Sequence, residues 1–167
     1  MYGKVETKVF NNPLKPKIDV FKEQFLTTKT IFLPNFNIVP QYVSEANFYI
    51  SQWKLEIKLV NKLENNSLRN IRSGYDVHGM TFENINIGNY SASLPFTSRG
   101  SNNTFTVTAS KQGLGSGAFY SLMEAFLTGY VRGEFKIDAK GCAFLLCTEK
   151  QFYVRGVFPV KKVNVFW

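Results

Sequence analysis

Charged residues are scarce, at 19% of the 167-residue chain, below the quarter usual in globular domains. That shortage excludes long charge-laced helices and coiled coils. Histidine is scarcer still: His78 stands alone. No Cys–His or Ser–His–Asp set can be built around it from spacing, so its ordinary reading is structural or incidental. The 12 carboxylates fall singly along alternating segments, and no acidic pair or His/Cys cluster has metal-ligand spacing. We therefore expect no enzyme, no metal and no cofactor. No run approaches the roughly 20 consecutive apolar residues that span a bilayer. The opening Met1-Tyr2-Gly3-Lys4-Val5-Glu6-Thr7 lacks the apolar core of a signal peptide. The expectation is a soluble protein made in a cytoplasm, with no membrane partner.

Cysteine is nearly absent as well. Cys142 and Cys147 lie in Gly141-Cys142-Ala143-Phe144-Leu145-Leu146-Cys147, which reads as one buried strand. Residues five apart on a strand sit roughly 16 Å from each other, too far for a bridge. The pair is expected to be two reduced core thiols.

Aromatic residues are plentiful: 16 Phe, 8 Tyr and 2 Trp. Asparagine is frequent too. Aromatics favour strands and Asn favours turns, so the chain should be mainly β. The net charge is +8, which would suit an anionic partner. Its cations are scattered, with Lys161-Lys162 the only adjacent pair, and no tract reads as a basic arm.

Residues 1–47 hold four of the six prolines, including the breaker cluster Asn11-Asn12-Pro13-Leu14-Lys15-Pro16. Short apolar runs such as Thr30-Ile31-Phe32-Leu33 sit between them. This stretch reads as an extended N-terminal arm, and 48–167 as one β domain. Trp53, Leu55, Ile57 and Leu59 alternate with Lys54, Glu56 and Lys58, as in a half-buried strand. Residues 61–79 are polar and turn-rich, so they read as a long excursion between strands. Phe82–Ile87 reads as a short strand turned by Gly88-Asn89, and Thr104–Thr108 as another strand.

One helix is well specified over about 117–128. Ser116 is its candidate N-cap, and Gly129 its left-handed stop. Phe119, Leu122, Met123, Phe126 and Leu127 recur at i, i+3, i+4, i+7 and i+8, an apolar stripe that should pack on the β body. Gly113-Leu114-Gly115-Ser116-Gly117 lacks the ending of a phosphate loop. The fold class expected is an antiparallel β-sandwich or barrel with one flanking helix.

The order of elements from Gly79 to Trp167, together with the tail Phe152-Tyr153-Val154-Arg155-Gly156-Val157-Phe158-Pro159-Val160, resembles the tail-tube proteins of contractile phage tails. It is similar also to the tubes of type VI secretion and other contractile injection systems. The resemblance covers about half the chain. Gly156, Phe158 and Pro159 match the family's strand–Gly–bulky–Pro ending, and Ser93-Leu94-Pro95-Phe96 is a partial echo of its early turn. What the resemblance implies is a non-enzymatic virion protein assembled in a host cytoplasm. Its subunits would form hexameric rings that stack into a tube conducting DNA or effectors, in non-specific contact with nucleic acid passing through and alongside other tail, sheath or baseplate proteins. Two features depart from the pattern: the long N-terminal stretch, and a net charge of +8 where tube lumens are commonly neutral or acidic.

By position, Asn65, Asn66, Arg69, Arg72 and Tyr75 are the candidate contacts to an adjacent subunit. The bland alternative is an ordinary solvated loop. The competing function is a basic, aromatic-rich β-barrel that stacks single-stranded nucleic acid, with Lys and Arg on the phosphates. A third reading is a small-molecule-binding barrel or an enzyme.

Overall fold

The computed structural model describes residues 4–10, 17–24, 33–94 and 96–167. Among them ten strands form two facing five-stranded sheets, with one α-helix. The strands are β1 (Lys4–Val9), β2 (Lys17–Gln24), β3 (Phe36–Tyr49), β4 (Lys54–Asn65), β5 (Arg72–Phe82), β6 (Ile85–Ser93), β7 (Asn102–Lys111), β8 (Tyr130–Ala143), β9 (Leu146–Pro159) and β10 (Lys162–Phe166); the helix α1 spans Ser116–Phe126. One sheet runs β1-β10-β3-β4-β7 and the other β2-β9-β8-β5-β6. Every pair is antiparallel except β10 with β3. The fold is thus a mainly-β sandwich of two sheets with one helix.

Alternation builds the layers. In β8 the residues Val131, Phe135, Ile137, Ala139 and Ala143 turn inward while Arg132, Lys136 and Lys140 face out. Leu55, Ile57, Leu59 and Leu63 of β4 meet them from the opposite sheet. Eight phenylalanines are fully buried in the joint core. Gly141 is forced by this packing: a Cβ there would lie 2.5 Å from the ring of Phe36.

The helix closes one end of the sandwich. Phe119, Leu122 and Phe126 are fully buried, with Met123 and Leu127 half-buried beside them. Phe48 meets Phe119 and Phe126 edge-on, both at 5.5 Å, and Trp53 meets Phe119 at 5.3 Å. Gly115 is the N-cap, and no side chain bonds there, so Ser116 is the first helical residue rather than the cap. Gly129 takes its positive φ of 93° just beyond the helix and donates to Phe126 O.

Several expectations need correction. The division at residue 47 falls inside β3, a strand held between β10 and β4, and β1 and β2 each pair with a strand of the C-terminal region. The described part of the N-terminal stretch is therefore built into both sheets. Residues 61–79 are no long loop: β4 runs to Asn65 and β5 starts at Arg72, leaving six residues to cross between the sheets. The turn after Phe82 is Glu83-Asn84, both at positive φ, and Gly88 sits within β6 at a register shift. Pro159 ends β9 opposite Tyr130, where the chain leaves one sheet to enter the other as β10. Gly156 and Phe158 lie within β9, opposite Gly133 and Val131, and Phe158 is fully buried. The breaker cluster at 11–16, Thr30-Ile31-Phe32 and Pro95 lie outside the described residues.

The cysteine reading is also overturned. Cys142 and Cys147 form a disulfide. They are not on one strand: Phe144-Leu145 is a two-residue turn joining β8 to β9, and it puts the two cysteines directly opposite each other with Cα atoms 4.1 Å apart. A Phe-Leu pair carries none of the Gly or Asn that mark such turns in a sequence.

Candidate functional site

Among the described residues, three connections between strands meet at the end of the sandwich remote from the helix: that after β4 (66–71), that after β6, and the turn between β8 and β9. Asn65 staples the first two together. Its side-chain amide donates to the carbonyls of Arg69, Thr97 and Ser98 at 3.0–3.1 Å, and its oxygen accepts from Ser67 N at 2.9 Å. Ile71 and Thr97 exchange backbone hydrogen bonds, and Asn103 donates to Phe96 O and Thr97 Oγ1. The third connection is joined through Arg72, which pairs with Cys142 in the β5–β8 ladder and stands 5.8 Å over the ring of Phe96. Beneath them Lys150 is buried, donating to Asn35 Oδ1 at 3.0 Å and Phe36 O at 2.9 Å.

Polar side chains hold this end together, and apolar ones project from it. Phe144 is 91% exposed and Leu145 87%, with Leu146, Leu68 and Phe96 also exposed. The turn bearing Phe144 and Leu145 is clamped by the disulfide directly behind it. Phe144 has a φ of 59°, a left-handed conformation that costs a bulky residue roughly 1–2 kcal/mol and a glycine nothing. Arg69, Arg72, Arg99 and Lys140 are exposed on elements that end at this same end of the sandwich. Three of the chain's five arginines are thus gathered here. The acids nearby are Glu149, opposite Lys140 in the ladder, and Glu64, 3.6 Å from Lys62.

The five contact candidates separate accordingly. Asn66, Arg69 and Arg72 are exposed at this end. Asn65 is buried, with its polar atoms spent on the staple, so it cannot face another subunit. Tyr75 is buried too, its ring edge-on to Tyr90 at 6.1 Å and to Phe105 at 5.8 Å. Burial above all, then the neighbouring Tyr90, holds its hydroxyl far above the ordinary tyrosine range. Burial pushes Tyr90 up to about 12, partly offset by the neighbouring Tyr75 hydroxyl. Alternation in β5 could have shown that Tyr75 points inward with Val77. The apolar tip escaped the sequence because an uninterrupted apolar run reads as core.

No protein-family model matches the chain, and no curated protein matches it. Among solved structures, a Bordetella pertussis protein assigned as ApaA is 12% identical, with a TM-score of 0.36, covering 89% of this chain and 98% of that one. So loose a likeness carries no argument about function.

A second polar place lies on the outer face of the β5–β8–β9 sheet. His78 Nε2 is 2.8 Å from Asp138 Oδ2, beside an open depression of about 410 Å³ lined also by Lys136, Gln151 and Tyr153. Both partners of the pair are about half exposed. Among the described residues no group of three His, Cys, Asp or Glu could hold a metal ion.

Proposed function

We propose that this chain is a non-enzymatic structural module that docks through its loop end onto a partner surface. The observation that carries the reading is the Phe144-Leu145 tip: two large apolar side chains held in water on a cross-linked hairpin. Leaving such side chains exposed forgoes about 1.5–3 kcal/mol each, which docking would recover. A tip already rigid in the free protein loses little entropy on binding.

The tail-tube role is one form of this reading. There the partner would be a neighbouring copy, or a sheath or baseplate component, and the loop end would meet the next ring. A β-sandwich of this size, with one helix after β7, suits such a subunit. Nucleic-acid stacking draws less support, because the largest aromatic cluster, from Phe36 to Phe158, is inside the sandwich. Electron microscopy and light scattering on the purified chain, beside the double variant F144S/L145S, test the proposal. Rings of about six protomers that disperse in the variant would support the tube form. Assembly indifferent to the tip would overturn the loop end as the docking surface. A 19 kDa monomer in both would remove the self-assembling form and leave a partner of other chemistry.

A further inference from the structure

We propose that the partner is an anionic lipid surface: Phe144, Leu145 and Leu146 enter the interfacial zone of a bilayer while Arg69, Arg72, Arg99 and Lys140 meet its headgroups. The inference rests on the docking reading above and names the surface it meets.

Shape is the first argument. The apolar group is convex, on a two-residue turn at the end of two 14-residue strands. A protein partner would need a matching pocket. A bilayer needs none, since apolar side chains sink roughly 5–10 Å into the boundary between headgroups and acyl chains. Leu68 and Phe96, exposed on the other connections of this end, add apolar area that could follow it.

Charge is the second. The rim is cationic, and each Lys or Arg near an anionic surface adds attraction. A second copy is a poor electrostatic match. Stacking head to tail would set this rim against the helix end, where Lys54, Lys111 and Arg132 outnumber Glu83 and Glu124. That arrangement brings like charges together.

Preorganisation is the third. The disulfide and the β8–β9 ladder hold the tip from both sides. Phe144 occupies a left-handed position that glycine would take without strain, so a large ring is present at a conformational cost. Disulfides persist in oxidising surroundings, where the clamp would remain closed.

Co-sedimentation of the full chain with vesicles tests this. Vesicles of mixed phosphatidylserine and phosphatidylcholine are compared with phosphatidylcholine alone. The wild type should sediment with the mixed vesicles and release severalfold at high salt. Phe144→Gly, which relieves the turn and so keeps the fold, should weaken binding at least about tenfold. Arg72→Ala should weaken it about fivefold. Three outcomes would overturn the proposal: no sedimentation with mixed vesicles, equal sedimentation with phosphatidylcholine alone, or undiminished binding by Phe144→Gly. Light scattering on the same samples then separates the two readings. An oligomer that depends on Phe144 would keep the docking function with a second copy as partner. Tip-independence in both assays would remove the docking function as well.

Discussion

The two ends of this sandwich are closed by opposite means. At the helix end, apolar side chains turn in: Phe119, Leu122 and Phe126 fill the space against Phe48 and Phe82. At the loop end, Phe36, Ile71 and Leu94 are buried too, but a buried asparagine joins them and large apolar side chains also turn out. Asn65 and Asn103 satisfy the carbonyls of the crossing loops, while Phe144 and Leu145 stand in water. The first arrangement is explained by stability alone. The second leaves an apolar surface that stability alone does not require, and the proposed docking role would give that surface a use.

The sharpest way to break the comparison is to truncate one aromatic at each end. Phe126→Ala should lower unfolding free energy by about 3–5 kcal/mol in urea titration. Phe144→Ala should change it by less than about 0.5 kcal/mol, since the ring touches little. Equal losses would mean the tip belongs to the core after all. Next comes Gly141→Ala, which drives a methyl into the Phe36 ring under the loop end and should cost about 1–3 kcal/mol.

Removing the clamp is expected to cost about 2 kcal/mol, for so short a closed loop. C142S/C147S should therefore melt earlier than the oxidised wild type, with unchanged circular dichroism. Phe144→Gly should do the reverse and raise stability by about 1 kcal/mol, because glycine takes the left-handed turn freely. A destabilised Phe144→Gly would show that the ring is held by contacts within the fold.

The smallest effect concerns pH. Tyr75 and Tyr90 both have hydroxyls raised above the ordinary value of 10, Tyr90 to about 12. In the folded state they keep their protons where the unfolded chain has lost them. Their contribution is therefore fully present below pH 10 and is lost as pH rises beyond it. Chemical denaturation at pH 8 and pH 11 should show the decline, and Y75F should shrink it. Neither end of the molecule is involved, so tip variants should leave that decline unchanged.

Much of the fold was legible along the chain. The i, i+3, i+4, i+7 stripe from Phe119 to Leu127 announced the helix and its buried face, and Gly129 announced its end. Alternation in 55–59 announced a half-buried strand, whereas Trp53, read with it, sits at a φ of 47° in the turn before β4. The site was far less legible. Arg69 and Arg72 were within reach because a polar segment invites suspicion, yet the same suspicion fell on Asn65 and Tyr75, which face inward. An Asn that caps carbonyls inside a crossing loop and an Asn in solvent look identical in sequence.

Composition and periodicity by themselves determined that this chain is mainly β with one amphipathic helix, because strand and helix periods are local properties of side-chain order. Which strands share a sheet was decided only in three dimensions, as with β10 lying parallel to β3 and β2 against β9. So was the fate of Gly141–Cys147. Its run of apolar residues is compatible with a buried strand or with an exposed hairpin, and local preference leans to the first. Pairing of β8 with β9 forces the second: once fourteen residues on each side are in register, the chain must reverse at Phe144-Leu145. That reversal brings the cysteines face to face and leaves two apolar side chains exposed at the tip.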